Sequence, residues 1–212
     1  MLCVSKGGQA LPRCDCSEVE VTETHIRERI TRVEQATRFR PVHIRVLLLD
    51  AAPASLPQDD FYSPAADRSS RSLLSRMYFD ELAVASGIPR DSRTSLDEAA
   101  TLAEFQRRGF FLAHIVECPM DDVEGLRDAV NRVAPTLLRR LESSYKPKFV
   151  VPIGLATAEV IPFLQMSGWK DRLILAKDGP FEDPFLGDPQ NQAEFGTALG
   201  DSLLRAIPST AR

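Results

Sequence analysis

VHIRVLLLD, residues 42–50, is a nearly unbroken run of β-branched residues and leucines that ends on a carboxylate. An antiparallel strand with one wet face would alternate apolar and polar residues. A continuous apolar run instead fits a strand covered on both faces, as in a parallel sheet. Three further runs have the same character: FFLAHIVECP at 110–119, KFVVPIG at 148–154 and DRLILAK at 171–177.

The segments between these runs read as helices. VTETHIRERITRVEQATRF places Ile26, Ile30 and Val33 on one face, with Thr22 or Thr24 as N-cap, and predicts a helix over 23–38 that stops before Pro41. Residues 71–88 form an amphipathic helix ended by Gly87 and Pro89. Residues 95–109 form a shorter one, capped by Ser95 and stopped by Gly109. A helix over 125–145 is kinked at Pro135, and others cover 155–168 and 192–207. Strands alternating with helices predict an α/β fold, a three-layer α/β/α arrangement around a four-stranded, mainly parallel central sheet. Residues 1–20, with Gly, Pro and Cys but no periodicity, read as a mobile N-terminal arm, and 21–212 as one domain.

The whole-chain figures exclude several functions. With 212 residues and 43% apolar content, the chain can build a real core. A net charge of −4 gives no global basic field for nucleic acid, so any such partner needs a local patch, with Arg68, Arg71, Arg76, Arg107 and Arg108 as candidates. The loop from Asp178 to Pro189 is acidic and would repel a duplex backbone. No apolar run reaches the roughly 18 residues of a membrane span, and the N-terminus lacks a long apolar signal core, so a cytoplasmic location is expected. No G-x-G-x-x-G or Walker pattern is present, and no cofactor is expected. Cys3, Cys14, Cys16 and Cys118 are too sparse for a disulfide scaffold, and reduced thiols with no metal are the expectation.

In a parallel sheet, ligands sit beyond the carboxyl ends of the strands. The candidate site residues are therefore Asp50 with the turn Ala51, Ala52 and Pro53, then His114, Gly154 and Lys177. Asp50 is a water-orienting carboxylate or a turn cap. His114 is a pocket donor or acid–base group, or a core histidine. Phe61 and Tyr62, in the long proline-rich loop after the first strand, are candidate site residues or anchors of the loop. Gly154 would let backbone approach a ligand or a helix closely.

Four segments in order resemble the uracil-DNA glycosylase superfamily, above all its Fe–S-containing branch. VLLLDAAPAS resembles the strand and turn that read roughly V-G-E-A-P-G there, and FLAHIVECPMDD resembles N-V-V-K-C-R-P. LLRRLESSYKPKFVVPIGLATAEVI resembles the family's helix–strand–helix, and LILAK stands before the position of its His-Pro-Ser loop. The likeness covers about residues 42–205 and implies a pocket at the strand ends for a nucleobase or nucleotide, or for DNA with a flipped base. By that likeness Asp50 would position water, His114 would contact the base, and Phe61 or Tyr62 would stack.

The chain departs from the family pattern at several points. The acidic turn position falls on Ala51, the base-reading asparagine falls on His114, and the loop 177–191 has no histidine. Cys118 stands where one cluster ligand stands, the next falls near Ala134, and the N-terminal pair is Cys-Asp-Cys, so no four-cysteine cluster is expected. Two rival expectations follow. One is a non-catalytic module that binds a ligand or partner protein, and the other is a hydrolase of small N-glycosides such as nucleosides.

Overall fold

The computed structural model describes residues 3–4, 10–11, 14, 21–63, 68–89, 97–120, 122–177, 179–182 and 189–206. Two short antiparallel strands, β1 (Cys3–Val4) and β2 (Ala10–Leu11), precede helix α1 (Glu23–Arg38). Then follow β3 (Val46–Asp50), α2 (Leu73–Ala85), α3 (Glu98–Arg107), β4 (Phe110–His114), α4 (Val123–Arg139), β5 (Phe149–Pro152), the single turn α5 (Ile161–Leu164) and α6 (Pro189–Ala206). The fold is α/β with a parallel sheet, as the apolar runs predicted.

Strand β3 is the centre of that sheet, in the order β4-β3-β5. Its Val46, Leu47, Leu48 and Leu49 have no exposed surface, which accounts for the unbroken apolar run. Leu48 lies between Leu112 and Val151 in register, and Asp50 is opposite His114. The chain leaves β3 to one side through α2 and α3 and crosses to the other side through α4. Right-handed crossovers assign these two connections to opposite faces of the sheet.

The predicted fourth strand does not form, and the sheet has three strands among the described residues. Residues 173–181 do run beside β5, touching it at the parallel bridges Val150–Leu173 and Ile153–Phe181. Ile174 N–H donates to Val150 (2.9 Å) and Phe181 N–H to Pro152 (3.0 Å), so Val150 and Pro152 both face this segment. Pro152 has no N–H to return, and the ladder breaks there.

Helix boundaries follow local chemistry. Thr22 caps α1 by accepting from His25 N–H, as one of the two predicted caps. Helix α3 is capped by Asp97, which accepts from Ala100 N–H, in place of the predicted Ser95, which lies outside the described residues. It ends before Gly109, whose φ of 81° makes the turn into β4. Helix α4 runs through Pro135 and widens only afterwards, into a π turn over Arg140–Tyr145. The predicted helix 155–168 is instead a series of short pieces: a 3₁₀ turn at Leu155–Val160, α5, and a π turn broken by Gly168.

The open side of β4 is closed by a side chain. Tyr62, 2% exposed, accepts from Leu112 N–H (2.7 Å) and donates to Leu112 C=O (3.2 Å). Its ring stacks with Phe39 and with Phe111. Replacing Tyr62 with Phe deprives both buried groups of this oxygen. The expected loss is about 1–3 kcal/mol in urea unfolding, with faster hydrogen exchange at Leu112. An unchanged midpoint would mean that water substitutes for the phenol at this edge.

Candidate functional site

A cavity of about 250 Å³ lies between α1, the outer side of β4 and the Arg140–Tyr145 turn. Helix periodicity explains the α1 contribution: Arg32, Val33, Ala36 and Thr37 share one face at i, i+1, i+4 and i+5, and Arg40 follows just beyond the helix end. Three arginines therefore line it, Arg32, Arg40 and Arg140, together with Asp60 and His114.

The three arginines differ in how they are held. Arg40 donates to Ser144 C=O (2.5 Å) and lies over the Tyr145 ring at 5.3 Å. Arg140 donates to Glu117 (2.8 Å) and to the carbonyls of Ile115 (2.7 Å) and His114 (3.2 Å), leaving Nε without a hydrogen bond. Arg32 is 8% exposed, and its Nε and Nη2 make no hydrogen bond; its Glu28 carboxylate is 4.0 Å away. A buried guanidinium with unused donors is costly, and an anionic ligand supplies what it lacks.

His114 ends β4 at this cavity. Burial pushes its pKa below the ordinary histidine range, with Asp60 and Glu117 pulling it up and Arg140 and Arg32 pulling it down. A neutral imidazole has one donor and one acceptor nitrogen, which suits hydrogen bonding to the edge of a nucleobase.

Of the other predicted residues, Pro53 and Tyr62 also line the cavity. Asp50 sits opposite His114 in register, but its carboxylate is committed: one oxygen accepts from Ala51 N–H (2.6 Å) and the other from Tyr78 Oη (2.7 Å). These contacts hold the turn that follows β3. Ala51 is buried, Ala52 half-buried, and Pro53 lines the cavity. Phe61 packs against Phe79 and Phe105 in the core, and Tyr62 closes the β4 edge, so this aromatic pair anchors the loop. Gly154 has φ 81°, a conformation side chains disfavour, and turns β5 into the following 3₁₀ turn; its N–H donates to Phe181 (2.7 Å) and its carbonyl accepts from Thr157 (3.0 Å). Lys177 is exposed and does not line the cavity, and residues 178 and 183–188 of the acidic loop lie outside the described residues.

Of the predicted arginine patch, Arg71, Arg107 and Arg108 are committed to contacts among the described residues. Arg71 is buried, bonded to Glu98 (2.8 Å) and to the carbonyls of Asp60, Phe61 and Ser63, where it fastens the long loop. Arg107 and Arg108 share Glu104, whose pKa their hydrogen bonds lower to about 2 despite some burial. The Arg68 side chain lies outside the described residues.

A second group stands beside the cavity. Cys14, His25 and Cys118 converge, with each pair of donor atoms 3.2 Å apart. Glu117 links this group to the cavity, bonding Arg29 (2.9 Å at Nε) on one side and Arg140 on the other. Burial alone would raise the Glu117 pKa, and the two guanidiniums hold it below the usual carboxylate range. The sequence reading missed His25 because its sulfur neighbours lie 11 and 93 residues away. A Cys-x-Cys ahead of a helix with a histidine in its first turn was the available signal.

Comparison of the chain with protein-family models, curated proteins and solved structures gave no match. Among the described residues, no helix is long and apolar enough to cross a membrane.

The depressed His114 pKa fixes the sign of a pH dependence. Between the folded value and about 6.5 the unfolded chain binds more protons, so stability falls as pH drops below about 6.5. Urea unfolding at pH 7.5 and 5.5 is expected to differ less in His114→Gln than in the parent. Equal differences would mean that His114 titrates normally.

Proposed function

We propose that this chain is a uracil-DNA-glycosylase-like protein whose cavity binds a nucleobase carried on an anion, such as a nucleotide. The observation that carries this reading is Arg32, buried at the cavity with two donor nitrogens unbonded. It supplies the phosphate contact, and neutral His114 offers a donor and an acceptor to the base edge. A cavity of about 250 Å³ lies just under the usual range of roughly 300–1,000 Å³ for small-molecule sites, in keeping with a single nucleotide or base. Binding is favoured over excision because the Asp50 carboxylate is occupied by Ala51 and Tyr78.

One observation favours a hydrolytic version on the same cavity. Asp60 also lines it, 3% exposed, with one oxygen accepting from Tyr62 N–H (3.0 Å). In a nucleoside or DNA N-glycoside hydrolase this carboxylate would orient the attacking water.

Titration calorimetry with uridine monophosphate, uridine and inorganic phosphate tests the binding reading. The nucleotide is expected to bind tightest, and Arg32→Gln to weaken it about 10- to 100-fold, the equivalent of one charge-assisted hydrogen bond. Thermal stability of the ligand-free Arg32→Gln protein is expected to hold or rise, because a buried charge held only by a long ion pair with Glu28 is gone. Asp50→Asn should leave affinity unchanged. Equal affinity in Arg32→Gln and the parent would refute the reading. Release of base from uracil-containing DNA or from nucleosides, lost in Asp60→Asn, would instead establish the hydrolytic version.

A further inference from the structure

The geometry points to a zinc site formed by Cys14 Sγ, His25 Nε2 and Cys118 Sγ. The three donors come from separate parts of the chain: the segment before α1, the first turn of α1 and the stretch after β4. Only the fold brings them together, into a triangle with sides of 3.2 Å. Around one tetrahedral zinc, bond lengths of about 2.3 Å to sulfur and 2.0–2.1 Å to nitrogen separate the ligand atoms by roughly 3.5–3.8 Å. A widening of a few tenths of an ångström would admit the ion.

Other uses of this group fit less well. The sulfurs are not bonded to each other, since a disulfide holds them about 2.05 Å apart, and a disulfide would leave His25 unexplained. A Cys–His nucleophile must be reached by substrate, whereas Cys118 is 1% and Cys14 7% exposed. Two thiolates and an imidazole form a soft donor set that disfavours calcium and magnesium and suits a tetrahedral d¹⁰ ion.

The surroundings match two thiolates. Arg29 Nη1 lies 3.8 Å from Cys14 Sγ and offsets their charge, while Glu117 holds Arg29 in place. The described donors leave one tetrahedral position for water or a further donor. The ion would tie the N-terminal segment and α1 to the end of β4. Since Arg32 lies two turns beyond His25 on α1, it would also steady one wall of the cavity.

The test uses the full chain purified under reducing conditions without chelator. Elemental analysis is expected to find one zinc per chain, and chelation to lower the melting temperature. Cobalt in its place should give sulfur-to-cobalt charge-transfer absorption, a readout in the unmutated protein that does not depend on variants folding. Cys118→Ser and His25→Ala should lose the metal, and His25→Cys should keep it with an altered cobalt spectrum. Three results would overturn the site: no bound zinc in the purified or zinc-reconstituted protein, a Cys14–Cys118 disulfide found by mass spectrometry, or iron with acid-labile sulfide.

Discussion

Strand β3 pairs on both sides, and everything else is arranged around that fact. With no exposed surface on Val46 through Leu49, it needs a strand on each side and cover on each face. Each buried leucine contributes about 1.5–3 kcal/mol of hydrophobic stabilisation, and that holds only while the flanking strands and helices stay in place. The first crossover, through α2 and α3, brings Asp50 and His114 to neighbouring strand ends.

A three-stranded parallel sheet has two raw edges, and the chain deals with each differently. On the β5 side, the missing N–H of Pro152 cuts the ladder, so the following segment only touches the strand. On the β4 side, the Tyr62 phenol takes up the outward N–H and C=O of Leu112. The second device has a consequence for the site. An oxygen rather than another strand closes β4, so α1 and the Arg140–Tyr145 turn can stand off from the sheet and enclose a cavity.

Charge is distributed unevenly around this cavity. Arg71 spends its donors on loop carbonyls and Glu98, and Arg140 spends most of its donors on Glu117 and strand-end carbonyls. Both act as structural fasteners. Arg32 does not, and its unbonded nitrogens mark where the fold has left interaction energy unused. Glu117, held between Arg29 and Arg140, couples the cavity wall to the Cys14–His25–Cys118 group, so the two features share one electrostatic support.

By itself the sequence determined what depends on neighbours along the chain. The α1 bounds, the Thr22 cap and the Gly109 stop rest on local propensity and the buried character of β3 on its apolar run, and these were legible; the packed face of α1 was not, since Ile30 and Val33 are exposed and Arg32 is buried. The count of strands was not, because it turned on which way Pro152 faces. Asp50 was readable as a carboxylate at a strand end, but its contact with Tyr78, 28 residues away, was not. Nothing along the chain singled out Arg32 among so many surface-like arginines, and nothing joined His25 to Cys118 across 93 residues. Burial and convergence depend on which surfaces meet when helices pack on a sheet, and only the tertiary structure decides that.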